Sequence, residues 1–345
     1  MNEKYEEIMQ EITAGLTGDP QADMEYLKSK SDEYKTHELS KEILRGVGRL
    51  MYEVLPPEKR SEWEKLMENE SLGVNAAIEE ARFQMHKQNP ERALEILESL
   101  IKKIEDENGE LLSFRDDSVS EYRNFQNFFE DVLYKEMFKP EKTVRKMNDD
   151  YCYLYFIYGN ILFEVKNYDA ARVALNKALR LNPLFSEAIF ELAETYKINS
   201  EWDDYLTLTK RCLSVAYRAH DVARCYRNYG YYYIEQKEYE LAAALYFKSM
   251  QFDNQSQMPQ SQLFYIQQVS GKQIPQFSYD EVKKLLESNG IQPEVNPLIL
   301  SIAYGLGKMT AEEGNVEAAQ FFLSILYDLT HDEEIKEMMD NLPSA

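Results

Sequence analysis

The chain has 345 residues, 44% of them hydrophobic and 29% charged, with 39 Lys plus Arg against 61 Asp plus Glu and a net charge of -22. This content supports a sizeable buried core and excludes a globally disordered chain, while the acidity works against nucleic-acid backbones and anionic membrane surfaces. Thirteen Gly and 11 Pro are too few for a turn-rich sandwich or barrel, which favours helices.

The start, MNEKYEEIMQEITAGL, has neither a basic leader nor an apolar run and reads as a short helix over 3–13. Gly15, Gly18 and Pro20 then mark a linker. From His37 to Leu55 the residues Leu39, Ile43, Leu44, Val47, Leu50, Met51 and Val54 form one helical stripe, which Pro56-Pro57 breaks. Ser61 and Glu64 are spaced as a capping box for a following helix. Residues 1–73 are therefore expected to be an N-terminal helical cap region.

Beyond residue 73 the chain repeats. With Cys152 as position 1, Gly159 is at position 8, Ala171 at 20, Ala178 at 27 and Pro183 at 32. From Ser186, Ala193 is at position 8, Trp202 at 17 and Cys212 at 27. From Ala223, Gly230 is at 8, Tyr239 at 17 and Ala242 at 20. From Leu300, Gly307 is at 8, Gly314-Asn315 at 15 and 16, and Ala319 at 20. Small residues at 8 and 20 let the two helices of a hairpin approach closely, and aromatics fill the space around them. A weaker unit starts near Val74 and includes Asn89-Pro90-Glu91-Arg92-Ala93.

These residues resemble the tetratricopeptide repeat (TPR) family, a helix-turn-helix unit of 34 residues, with a bacterial look. The resemblance implies an all-α fold, a right-handed α-solenoid of about seven TPR-like hairpins over 74–334. The clearest units are 152–185, 186–222, 223–256 and 300–333. Atypical helix pairs are expected in 108–151 and 257–299, and an acidic C-terminal tail in 335–345.

The 111–151 segment carries Phe114, Tyr122, Phe125, Phe128, Phe129, Leu133, Tyr134 and Phe138, read as one aromatic helix ending at Pro140. It is a degenerate repeat, an insert in the groove, or a contact in a homodimer. In 251–275 a Gln-rich loop, helix and loop precede a helix for which Ser278 is the expected N-cap.

No phosphate-cradling glycine motif, nucleophile elbow or HExxH motif is present, so no catalytic residue and no cofactor are assigned. His37, His86, His220 and His331 are scattered without metal-ligand spacing, so no metal is expected. Cys152, Cys212 and Cys225 read as reduced, buried thiols. With no apolar run of about 18 residues, no membrane insertion is expected, and the reading is cytoplasmic.

In TPR proteins the groove is lined by positions 2, 5, 9, 12 and 13 of each first helix. Carried onto this chain, the resemblance selects Tyr153, Phe156, Asn160 and Phe163, then Phe190, then Arg224, Arg227 and Tyr231 as the ligand groove. The chaperone-tail clamp of one TPR subgroup is matched only at Asn160 and Arg224, while Phe156, Glu191 and Asn228 depart from it. Residues 152–250 hold 12 Lys plus Arg and 12 Asp plus Glu, which leaves the net charge in the flanks.

The expected function is a non-catalytic scaffold or adaptor that binds a peptide or protein segment. One alternative is a peptide-sensing regulator with an N-terminal effector helical region, and a weaker one is an enzyme on a helical repeat scaffold.

Overall fold

The computed structural model describes residues 3–37, 39–105, 116–147 and 150–343. In chain order the elements are α1 (Glu3–Ala14), α2 (Pro20–Glu33), α3 (Ser40–Val54), α4 (Pro57–His86), α5 (Pro90–Glu105), β1 (Ser120–Arg123), α6 (Phe128–Phe138), β2 (Thr143–Lys146) and α7 (Tyr151–Glu164). They continue as α8 (Tyr168–Leu181), α9 (Ser186–Ile198), α10 (Trp202–Val215), α11 (Ala219–Glu235) and α12 (Tyr239–Met250). The last are α13 (Met258–Ser270), α14 (Tyr279–Ser288), α15 (Pro297–Glu312), α16 (Val316–Thr330) and α17 (Glu333–Asp340). The fold class is all-α and TPR-like: successive helices pair as hairpins, α4 with α5, α9 with α10, α11 with α12 and α15 with α16.

The turn inside each hairpin is specified by backbone chemistry. Gln88, Lys166, Ser200, Lys237 and Gly314 all have positive φ, between 58° and 76°. Each occupies position 15 of its repeat. Around Lys166, the Asn167 N–H donates to the Leu162 carbonyl and the Lys166 N–H to the Phe163 carbonyl. The pair is a Schellman motif, which satisfies carbonyls orphaned at the end of a helix. The same long bond recurs from Asn89 to Gln84, Glu201 to Tyr196, Glu238 to Tyr233 and Asn315 to Thr310. The donor residue also opens the next helix: the Asn315 side chain accepts from the Ala318 N–H.

The packing of the hairpins explains the small residues. A Cβ on Gly230 would lie 2.8 Å from the Tyr246 ring, and one on Gly307 would lie 2.7 Å from Leu323. Both partners are at position 24. The other signature residues, Gly159, Ala171, Ala178, Ala193, Ala242 and Ala319, are buried, and Pro183 is half-buried.

The chain divides into two compact units. The first comprises residues 1–125, 139–167 and 180–182. In it Tyr5, Ile12, Leu27, Ile43, Val47 and Val119 form one core, built mainly on α1, α2 and α3. The buried Asp23 accepts from the backbone of Thr17 and Gly18 and from the Thr17 hydroxyl. The bond from the Thr17 N–H is the leading reason its carboxyl lies below the usual carboxylate range. Helix α4 runs unbroken from Pro57 across residue 73, and proline at the first helical position costs no hydrogen bond. Ser61 and Glu64 thus lie inside α4 instead of starting a helix, and their side chains lie outside the described residues.

The second unit comprises residues 126–138, 168–179 and 183–345. Helices α13 and α14 both pack against α12, and α15 packs against α6. The capping box at Ser278 and Glu281 starts α14. Within 335–345, α17 extends to Asp340 and packs on α16.

The 111–151 segment differs from the expected helix pair. Tyr122 lies on β1, which pairs in parallel with β2 in the register Ser120↔Thr143. The aromatic run from Phe128 to Phe138 lies on α6. Side-chain hydrogen bonding splits the run: Asp117 accepts from the Val119 and Ser120 N–H groups before β1, and Asn127 accepts from the Glu130 N–H at the start of α6. Phe114 lies outside the described residues.

Two outcomes test this packing. Gly230→Leu and Gly307→Leu should each lower the unfolding free energy by about 1–3 kcal/mol in urea titrations, because the new side chain overpacks the hairpin. Gly305→Ala, at a helical site with open space around it, should raise it by about 0.5–1 kcal/mol.

Candidate functional site

In the first unit, α7 carries Tyr153, Phe156, Asn160 and Phe163 on one stripe. Its N-terminus is fixed twice: Asp150 accepts from the Tyr153 N–H, and Asn124 accepts from the Cys152 N–H at 2.8 Å. The Tyr153 hydroxyl accepts from Arg82, whose guanidinium lies 5.2 Å from the ring centroid. Phe156 lies 5.8 Å from Tyr153, centroid to centroid. The Oδ1 of Asn160 is buried and has no hydrogen-bond partner among the described residues. On another side of α7, the Tyr155 and Tyr158 hydroxyls donate to Glu105 and Glu98. Burial is the main cause that pushes the Tyr158 phenol up to about 12.

In the second unit, α9 and α11 meet at two points, Phe190 against Arg224 and Lys197 against Tyr231. The Arg224 guanidinium sits 4.3 Å over the Phe190 ring and 3.3 Å from Glu191. Both contacts hold it flat against α9. The Lys197 ammonium lies 4.8 Å over the Tyr231 ring, and Glu194 in turn pairs with Lys197. Trp202 and Tyr205 from α10 flank Tyr231 at 6.1 and 6.4 Å.

Between Arg224 and Tyr231 lies Asn228, which is 8% exposed. Its carbonyl accepts from the Tyr205 hydroxyl at 3.4 Å, while its side-chain nitrogen is buried without a partner among the described residues. The sequence reading treats Asn228 as a departure from the chaperone-tail clamp. Its spacing from Arg224 and Tyr231, four and three residues, places it on their stripe. That spacing was the available signal.

Arg227 has a different setting. It is 11% exposed and donates to Asp253 at 3.0 Å. The sequence reading offers it as an open anchor for a ligand; in the fold its charge is already matched.

Elsewhere in the second unit a concavity of about 430 Å3 is lined by Tyr217, Arg218, His220, Phe252, Ile325 and His331, among others. Its charges are balanced locally. Arg218 pairs with Glu187 at 2.5 Å and with Asp221 at 2.8 Å. His220 lies 3.2 Å from Asp221, and that hydrogen bond is the main reason its imidazole titrates above the usual value. The Tyr217 hydroxyl donates to Glu130 and accepts from Asn127 on the α6 side.

Cys212 and Cys225 are fully buried free thiols, and burial raises Cys225 well above the usual thiol range. Their setting is that of packing residues, not of accessible nucleophiles. Among the described residues no helix is long and apolar enough to cross a membrane.

Arg227→Ala should destabilise the fold by about 1–3 kcal/mol in urea titrations, since it leaves Asp253 without its cationic partner. A double-mutant cycle with Asp253→Ala should show positive coupling, and additive losses would count against the pair. For His220, the folded imidazole titrates above the unfolded value of 6.5. Its contribution to stability is therefore complete below about pH 6.5 and is lost as pH rises through the folded value. An NMR titration should give a His220 midpoint above 6.5 that returns toward 6.5 in Asp221→Asn.

The sequence matches no protein-family profile. No curated protein matches it. Among solved structures it is similar to YrrB, described as a TPR protein with an unusual peptide-binding site, with 16% identity and a TM-score of 0.30 over 63% of this chain and 99% of that one.

Proposed function

We propose that the chain is a non-catalytic scaffold that holds a peptide or protein segment against the α9–α11 face. Asn228 carries this reading. A buried amide nitrogen without an acceptor costs about 1–3 kcal/mol. The terminal torsion of Asn is broad, so a small rotation of the amide can present a donor or an acceptor to an extended backbone. The flanking Phe190–Arg224 stack and the Tyr231 ring offer rigid anchors of the kind that dominate peptide interfaces. Asn160, beside Tyr153 and Phe156 on α7, repeats the same combination in the first unit and supports the same use of that helix.

The test is selection of a displayed random-peptide library on the purified chain. Recovered peptides are then titrated by fluorescence anisotropy. Asn228→Leu should weaken binding by about tenfold or more with little loss of thermal stability, as expected when one buried polar contact to a ligand is removed. Binding that is equal in wild type and Asn228→Leu, or a library that yields no binder, would reject the assignment.

A further inference from the structure

The concavity at the start of α11 is built from residues other than those around Asn228, and its lining has two parts. On the α11 side Arg218 is matched by Glu187 and Asp221, and His220 shares Asp221. Asp221 also lies in the first turn of α11, where it answers the positive end of that helix. An anion therefore finds no open charge there.

The rest of the lining comes from the end of α16, with Ile325, Asp328 and His331, and from Phe252 just beyond α12. The His331 Nε2 lies 3.4 Å from the Gln251 carbonyl, so the C-terminal ends of α12 and α16 meet here. Asp328 stands in the last turn of α16, where the macrodipole is negative and a carboxylate is disfavoured. That turn holds no basic residue. Among the described residues Asp328 makes no ion pair and no side-chain hydrogen bond. Phe252 is held in place by stacking on Tyr226, centroids 5.8 Å apart. Lys248 lies 5.3 Å from the Phe252 ring, but it is buried and engaged by Gln251 at 3.0 Å and Glu294 at 3.9 Å.

The second unit shows what such a pair of groups receives elsewhere. Arg172 lies 4.0 Å over the Tyr196 ring with Glu201 at 2.6 Å. Arg224 lies 4.3 Å over Phe190 with Glu191 at 3.3 Å, and Arg218 lies 5.7 Å over Tyr217 with Glu187 at 2.5 Å. Each site gives a guanidinium an aromatic ring for its face and a carboxylate for its edge. Phe252 and Asp328 bring the same two groups to one concavity, and among the described residues no arginine pairs with Asp328.

We propose that this concavity binds a guanidinium group carried on an alkyl chain. The charge meets Asp328 and the negative end of α16, the plane lies on Phe252, and the chain packs against Ile325. A volume of about 430 Å3 is within the range of small-ligand sites. The net charge of -22 draws cations toward the chain. The guanidinium comes from an arginine of another protein or from a free compound, and the chemistry of the site is the same for both.

Amide chemical shifts of the 15N-labelled full chain, titrated with n-butylguanidinium, test this. Saturable shifts are expected at Phe252, Asp328 and His331, with none from propionate and weaker binding of n-butylammonium, which lacks the plane. Asp328→Asn should weaken binding by about tenfold or more, since one charged hydrogen-bonding partner is lost. It should leave the thermal midpoint unchanged or higher, because it removes a carboxylate from a negative helix end. Asp203→Asn, at an exposed carboxylate in the first turn of α10, should leave the affinity unchanged. Acetyl-Gly-Arg-Gly-amide and agmatine then separate the sources. Tighter binding of the peptide marks an arginine of a partner protein, tighter binding of agmatine marks a free guanidinium compound, and either supports the site. The proposal is overturned by the absence of saturable shifts at these amides, by equal affinity in wild type and Asp328→Asn, or by n-butylammonium or propionate binding as tightly. A lower thermal midpoint in Asp328→Asn would give the carboxylate a structural role and overturn it as well.

Discussion

Two helices lie close together over a full hairpin here where one of them carries no more than a methyl group at the crossing. Gly230 faces the Tyr246 ring and Gly307 faces Leu323 in this way. Neither glycine is needed for its dihedral angles; each is needed for the absence of a Cβ. The large residue at position 24 then fills the space, and buried methyls and rings on either side do the rest. Helix α13 is the complementary case. Phe264, 34 residues after Gly230, stands at position 8, and the helix that follows packs on α12 instead. The size of one side chain per unit thus goes together with whether a helix finds its partner within the hairpin or leaves a face open.

Ion pairing makes a different contribution. Arg224, Arg227 and Arg218 have carboxylate partners on neighbouring elements, and Arg172 is held by Glu201, Thr195 and the Tyr196 ring. Such pairs fix where helices meet more than they add to stability, since desolvation offsets much of the Coulomb gain. Among the described residues, the neutral polar groups Asn160 and Asn228 are left as the unsatisfied members of the α7 and α11 faces.

The clear repeats were legible because their signal is local: small residues, turn residues and aromatics at fixed spacing decide the hairpin. The segment 111–151 was not, because its aromatic periodicity says helix throughout while Asp117 and Asn127 redirect the backbone through side-chain hydrogen bonds that a periodicity count does not weigh. Of the candidate site, the helix faces could be read from the 3.6-residue period. Which arginine is already partnered could not. Asp253 lies 26 residues from Arg227, beyond the end of α12, and the pairing exists only after the hairpin has closed. The register of α13 was hidden for a related reason, since its position 8 residue is the one that departs from the pattern.

The hairpin turns have a consequence for how this sequence could change over time. Four of the left-handed residues, Gln88, Lys166, Ser200 and Lys237, carry a Cβ in a conformation that disfavours one by roughly 1–2 kcal/mol each. The backbone geometry demands the conformation, but the side chains there are not what makes it favourable. These positions form a set of independent, surface-located sites at which a lineage under heat or under mutational load could gain stability through glycine, leaving every helix face untouched. The residues that set the turns and the residues that line the helix faces are therefore separate sets, and substitution in one leaves the other in place.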